Sequence, residues 1–83
     1  MSPLHKVTER VKIGKLAKDA GVLPSTVRYY VKEGLLQVVD HTPGGFLLFD
    51  QAAALKRIEH IQTLKAQRFT LAEIREQLFG KTE

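Results

Sequence analysis

Gly21 and Pro24 stand three residues apart, between two short segments that each carry the apolar spacing of a helix. That punctuation constrains the local fold more tightly than any other feature of the chain. Before it, Ile13, Leu16, Ala17 and Ala20 follow the i, i+3, i+4, i+7 stripe of a helix face. Gly21 suits the left-handed residue that ends such a helix. After it, Pro24 suits the first helical position, where its missing N–H removes no helical bond. Val22 and Leu23 bridge the two. The second helix is predicted from Pro24 to about Glu33, with Gly34 as its stop. Val27, Tyr30 and Val31 fall on one face, which reads as core. Ser25, Arg28, Tyr29 and Lys32 fall on the opposite face, which is polar, basic and aromatic at once. Two short helices joined by a tight glycine-containing turn make a helix-turn-helix.

The rest of the chain supplies a hairpin and two more helices. Leu35-Leu36-Gln37-Val38-Val39 and Phe46-Leu47-Leu48-Phe49 are β-favouring runs on either side of a dense turn signal at residues 40–45. The expectation is a two-stranded hairpin with a loop of about six residues. Alternation puts Leu47 and Phe49 on its inward face and Phe46 and Leu48 on its outward face. Val11-Lys12-Ile13 fits a very short strand. Asp50 suits the N-cap of a long helix over 51–67, whose stripe is Leu55, Ile58, Ile61 and Leu64. That stripe ends after a few turns and reads as core, not as a coiled-coil seam. Thr70-Leu71-Ala72-Glu73 fits a capping box opening a last helix over 71–79, which buries Leu71, Ile74 and Leu78 and ends at Gly80. The fold class expected is mainly α with a small β-hairpin, a winged helix-turn-helix followed by two further helices. Its 83 residues hold one small domain, expected over 11–80, with a flexible arm over 1–10 and a tail over 81–83.

Composition narrows the chemistry. There is no cysteine, so disulfides and thiolate metal sites are excluded. His5, His41 and His60 lack ligand-like spacing, so no metal site is assigned. No signal peptide opens the sequence, and no apolar run approaches the roughly 18 residues of a membrane span. The expected setting is cytoplasmic and nucleoid-associated, without a membrane partner. No catalytic set is visible: Glu59 lies beside His60 and does not face it, and Gly44-Gly45 belongs to a hairpin turn, not a phosphate loop. The chain is therefore read as a non-enzyme without a cofactor. Charge points elsewhere. Lys and Arg total 13 against 9 acids. Residues 1–36 hold seven bases and three acids, and residues 37–83 hold six of each, so the whole excess of +4 lies in the N-terminal half. Segregated basicity suits a polyanionic partner; plain solubilising charge is the alternative.

Four pieces, in this order, carry a family resemblance. They are Val11-Lys-Ile-Gly-Lys-Leu-Ala17; Gly21-Val22 with Ser25-Thr-Val-Arg-Tyr-Tyr30 and Gly34-Leu-Leu36; Gly44-Gly-Phe-Leu-Leu-Phe-Asp50; and Phe69-Thr-Leu-Ala-Glu-Ile-Arg75. Over about residues 11–79 the chain resembles the N-terminal DNA-binding domain of MerR-type bacterial transcription regulators. It departs from their usual pattern at several points. Leu23 stands where Ser or Thr is usual, Val31 where an acid is usual, Leu47 where Arg is usual, Phe46 and Phe49 where Tyr is usual, and Arg68 where Gly is usual. Val31 and Leu47 have together exchanged a charged pair for two apolar side chains, each inward by periodicity. An apolar contact between the second helix and the wing is expected there.

The resemblance implies sequence-specific binding of double-stranded DNA by a transcription regulator, with the helix over 24–33 in the major groove and the wing over 37–49 on the adjacent minor groove or backbone. It also places a DNA contact at Arg28, which on an exposed recognition-helix face reaches a guanine edge or a phosphate. Tyr29 offers its hydroxyl to a phosphate, or packs half-buried. Ser25 and Thr26 reach phosphate or base, or cap the first turn. Lys12, Lys15 and Lys32 are backbone-contact candidates, Lys15 foremost because helix N-terminal amides also favour phosphate. Phe46, with Leu48, meets DNA sugars or buries against another chain. Lys56 and Arg57 reach flanking phosphates or stay solvated. Such regulators generally continue into a long antiparallel dimerisation helix and an effector domain. This sequence ends at Glu83 without either, as an excised DNA-binding part or a naturally short relative would, and no small-molecule effector site is assigned. A single module covers about 600–1,000 Å² of DNA, a weak half-site. A second copy, or another protein chain through the wing, is therefore a further partner. Two other readings use the same fold: a protein-interaction module with an apolar wing, and an excisionase-like architectural protein that bends DNA.

Overall fold

The structure, a computed structural model, describes residues 9–80. The expected tail over 81–83 and the arm up to residue 8 lie outside the described residues. Seven elements follow in order: β1 (Arg10–Val11), α1 (Ile13–Ala20), α2 (Pro24–Lys32), β2 (Asp40–His41), β3 (Leu47–Asp50), α3 (Gln51–Ala66) and α4 (Leu71–Phe79). The helices lie where periodicity and caps put them. Gly21 takes φ 72°, and the N–H groups of Val22 and Gly21 return to the carbonyls of Ala17 and Lys18, closing α1 with a Schellman turn. Gly34, at φ 77°, closes α2 in the same way through Leu35 and Tyr30. Asp50 accepts the Ala53 N–H at the head of α3, and Thr70 and Glu73 form both bonds of a capping box on α4.

The wing differs from expectation. Its first strand is only Asp40–His41, and Leu35 and Leu36 belong to the turn after α2, both buried. Two neighbouring side chains cannot both face the core from a strand, whose successive residues point to opposite faces. The link from Gly34 therefore stays irregular until Asp40. β1 then adds to the hairpin, making a three-stranded antiparallel sheet of order β1-β3-β2, with Arg10 opposite Asp50, Val11 opposite Phe49 and Asp40 opposite Leu48. Arg10, expected in the flexible arm, is thus a strand residue. An Arg10–Asp40 ion pair of 3.4 Å spans the central strand.

The core fills the space between sheet and helices. Leu16, Val27, Tyr30, Leu35, Phe49, Ile58 and Ile61 are its largest fully buried side chains. Ala54 and Ile74 join them, while Leu55, Leu71 and Leu78 are only partly covered. Val31 and Leu47 are both partly buried against this cluster, on the inward faces that periodicity assigned them. Leu48, expected outward and exposed, is half-buried.

One turn conflicts with its residue. α3 ends like α1 and α2: the N–H groups of Arg68 and Phe69 return to Lys65 and Leu64. The left-handed position, at φ 70°, is filled by Arg68 and not by glycine. A side chain there costs about 1–2 kcal/mol in backbone sterics, partly offset by the greater unfolded-state freedom of glycine. Arg68→Gly should therefore melt several degrees above Arg68→Ala, the reverse of the order in a helix interior. Thermal melts followed by circular dichroism check this; an alanine variant as stable as the glycine one would remove the strain.

Candidate nucleic-acid interface

α2 is fixed from beneath and open above. Val27 and Tyr30 are buried, and Gln62 of α3 donates to the Tyr30 hydroxyl at 2.6 Å. Burial pushes the Tyr30 hydroxyl pKa up, with the Gln62 bond acting in opposition, so it stays protonated and neutral at neutral pH. At the far end, Arg75 of α4 donates to the Glu33 carbonyl at 2.7 Å and pairs with its carboxylate at 3.2 Å. The helix is thereby held at its middle and its C-terminus. Its roll leaves Ser25, Arg28, Tyr29 and Lys32 exposed, Tyr29 at 48%. Among the described residues, the side chains of Arg28 and Lys32 have no intramolecular hydrogen bond or ion pair. No side chain caps α2: its N-cap is Leu23, and the first backbone bonds run from Thr26 and Val27 to the Leu23 carbonyl. Ser25 and Thr26 are thus not engaged as caps, and Thr26 is half-buried.

Electrostatics sort the remaining cations. Lys15, on α1, pairs with Asp19 at 3.0 Å, and Gln51 also donates to that carboxylate at 2.6 Å. The Lys15 bond, then the Gln51 bond, lower the Asp19 pKa, and the same contact raises that of Lys15. Lys15 is therefore reliably charged, but it shares that charge with a carboxylate before any phosphate arrives. Glu33 is likewise occupied by Arg75. Two of the three acids in the basic half are thus paired, which leaves Arg28 and Lys32 as the open cations of α2.

The wing contributes an aromatic tip. Thr42 and Phe46 close the turn, with the Phe46 N–H bonded to Thr42 Oγ1 at 3.1 Å and Gly45 at φ 89°. Phe46 is 58% exposed, and Lys12 Nζ lies over its ring at 4.5 Å. This cation–π contact joins the wing to the head of α1. Arg57 does not belong to the open surface: it donates to the Leu35 carbonyl at 3.1 Å and stacks on Phe79 at 5.0 Å. Lys56 stays exposed. Two features escaped the sequence reading. The Lys12–Phe46 contact joins residues too distant in sequence for any local pattern. The exposure of Leu23 had a usable signal, because a residue before proline is held extended, and only one of the neighbours Val22 and Leu23 then faces the core.

A helix-turn-helix with an open basic helix and a lateral wing is an architecture shared with known regulators. The family model described as MerR HTH family regulatory protein matches residues 11–80. The chain belongs to this MerR family. The HTH-type transcriptional regulator ZntR of Escherichia coli (strain K12) is 40% identical over 67 residues, 81% of this chain and 47% of its own. Among solved structures, the transcription regulator PbrR691 from Ralstonia metallidurans CH34, in complex with lead(II), matches at a TM-score of 0.73 and 41% identity over 82% of this chain and 52% of that one. HiNmlR, a MerR family regulator lacking the sensor domain and bound to promoter DNA, matches at 0.73 and 29% over 82% and 51%. This MerR-family chain thus spans about half the length of each. Among the described residues no helix is long and apolar enough to cross a membrane, and no group of three or more His, Cys, Asp or Glu is placed to hold a metal.

Proposed function

We propose that this MerR-family domain binds double-stranded DNA sequence-specifically as part of a transcription regulator acting in the bacterial cytoplasm, at the nucleoid. α2 enters the major groove, and the wing lies on the adjacent minor groove or backbone. The observation that carries this reading is the α2 face itself, anchored through Val27 and Tyr30 and open at Arg28 and Lys32. Arg28 meets a guanine edge or a phosphate. Tyr29, Ser25 and Thr26 add polar contacts, and Lys32, Lys15 and Lys12 grip the backbone. Phe46 packs on the sugar edge beside Lys12. One domain covers a half-site, and a second copy supplies the other half.

A protein-docking role for the wing would draw on the exposed Phe46, but Lys12 occupies one face of that ring. Salt separates the two readings. If Arg28 and the three lysines each neutralise one phosphate, affinity for duplex DNA falls roughly 100-fold between about 50 and 200 mM salt. Fluorescence anisotropy on a duplex selected from random DNA measures this. Failure of any duplex to be enriched, or an affinity indifferent to salt, would contradict the reading.

A further inference from the structure

Leu23 is the most exposed large apolar side chain among the described residues, at 68%. Its place is unusual for such a residue. It is the N-cap of α2, where Ser, Thr, Asp or Asn normally satisfy the free N–H groups, and it makes no side-chain cap bond. Its backbone is extended, at φ −78° and ψ 149°. Val22 packs against the core and Leu23 does not belong to that cluster, so the two neighbours point apart. Local structure gains nothing from a leucine here.

We propose that Leu23 is a specificity-determining residue that reads a thymine methyl group in the major groove. The inference rests on the DNA-binding reading above. The N-terminal residues of a recognition helix are the ones that approach base edges. A leucine there has no donor or acceptor to offer a base. The apolar feature of a major-groove edge is the C5-methyl of thymine, which cytosine and uracil lack. Burying the leucine against that methyl removes both from water. Leucine thus converts a position that would serve backbone capping into one that prefers thymine.

The test uses the 83-residue chain on its selected duplex, with each thymine replaced in turn by deoxyuridine. At one thymine or more, the loss of the methyl should weaken binding about fourfold, the value for burying one methyl-sized group. Leu23→Ala and Leu23→Ser should bind the thymine and uracil duplexes equally at that position. 5-Methylcytosine placed there should bind the parent more tightly than cytosine does. Leu23→Ser should also melt above the parent, because it restores a cap, so its lost discrimination is not unfolding. Uracil losses of the same size in parent and Leu23 variants, or no loss at any thymine while binding persists, would overturn the thymine reading alone. Absence of binding to every duplex would overturn the DNA-binding reading beneath it.

Discussion

Phe49→Ala should remove most of the stability of the fold. Phe49 is fully buried on β3, the strand that hydrogen-bonds to both β1 and β2, and it lies opposite Val11. Truncating a buried phenylalanine costs about 3–5 kcal/mol, as lost transfer energy plus an unfilled cavity. A domain of this size has roughly 4–12 kcal/mol in total. The melting midpoint should therefore drop by more than about 10 °C, and part of the protein should be unfolded at ambient temperature. Phe46→Ala, three residues earlier in the same hairpin, is the internal comparison. Phe46 is more than half exposed, and the named contact it loses is the one with Lys12, worth about 0.5–1 kcal/mol at an exposed site. Urea or thermal melts of the two variants measure the difference. A Phe49→Ala midpoint within a few degrees of Phe46→Ala would mean that the sheet does not anchor the core.

Features dictated by local chemistry were legible in the sequence. Gly21 and Gly34 mark helix ends because a left-handed residue is needed there, and both have positive φ. Gly80 ends α4 in a different conformation, at φ 84° and ψ 170°, that glycine alone adopts readily. Asp50 and Thr70 mark helix starts because their side chains reach the free N–H groups of the first turn. The opposed faces of α2 followed from a period of 3.6 residues, and Val27 and Tyr30 are buried as that period requires. Features set by distant partners were not legible. The pairing of β1 with β3 joins residues about 40 apart, and two residues of strand carry no periodicity of their own. Leu35 and Leu36 read as strand because they are apolar and adjacent, whereas both are drawn into the core from a turn. Arg57 reads as a surface cation, but the carbonyl of Leu35 and the ring of Phe79 hold it. The open cations of α2 were visible as a face. The Lys15–Asp19 pair has i,i+4 spacing on one helix and was open to the same kind of reasoning, whereas the Arg75–Glu33 pair, between α4 and the end of α2, required the tertiary structure.

The pairing pattern makes Arg28 the side chain whose removal separates folding from binding most cleanly. It is exposed, and among the described residues it has no partner. Arg28→Ala should leave the melting temperature nearly unchanged, since such surface substitutions stay within about 0.5 kcal/mol. Its cost should appear on DNA, as a loss of about 1–3 kcal/mol or roughly 5- to 150-fold in affinity. A loss confined to the selected site would place the guanidinium on a base edge; an equal loss on unrelated duplexes, with a shallower salt dependence, would place it on a phosphate. Either result keeps α2 in the groove. The deciding measurement is a side-by-side titration of the parent chain and Arg28→Ala against the selected duplex at one fixed salt concentration. Weakening by at least about fivefold in a variant that melts like the parent is the predicted result. Equal affinities would mean that the open face of α2 does not hold DNA.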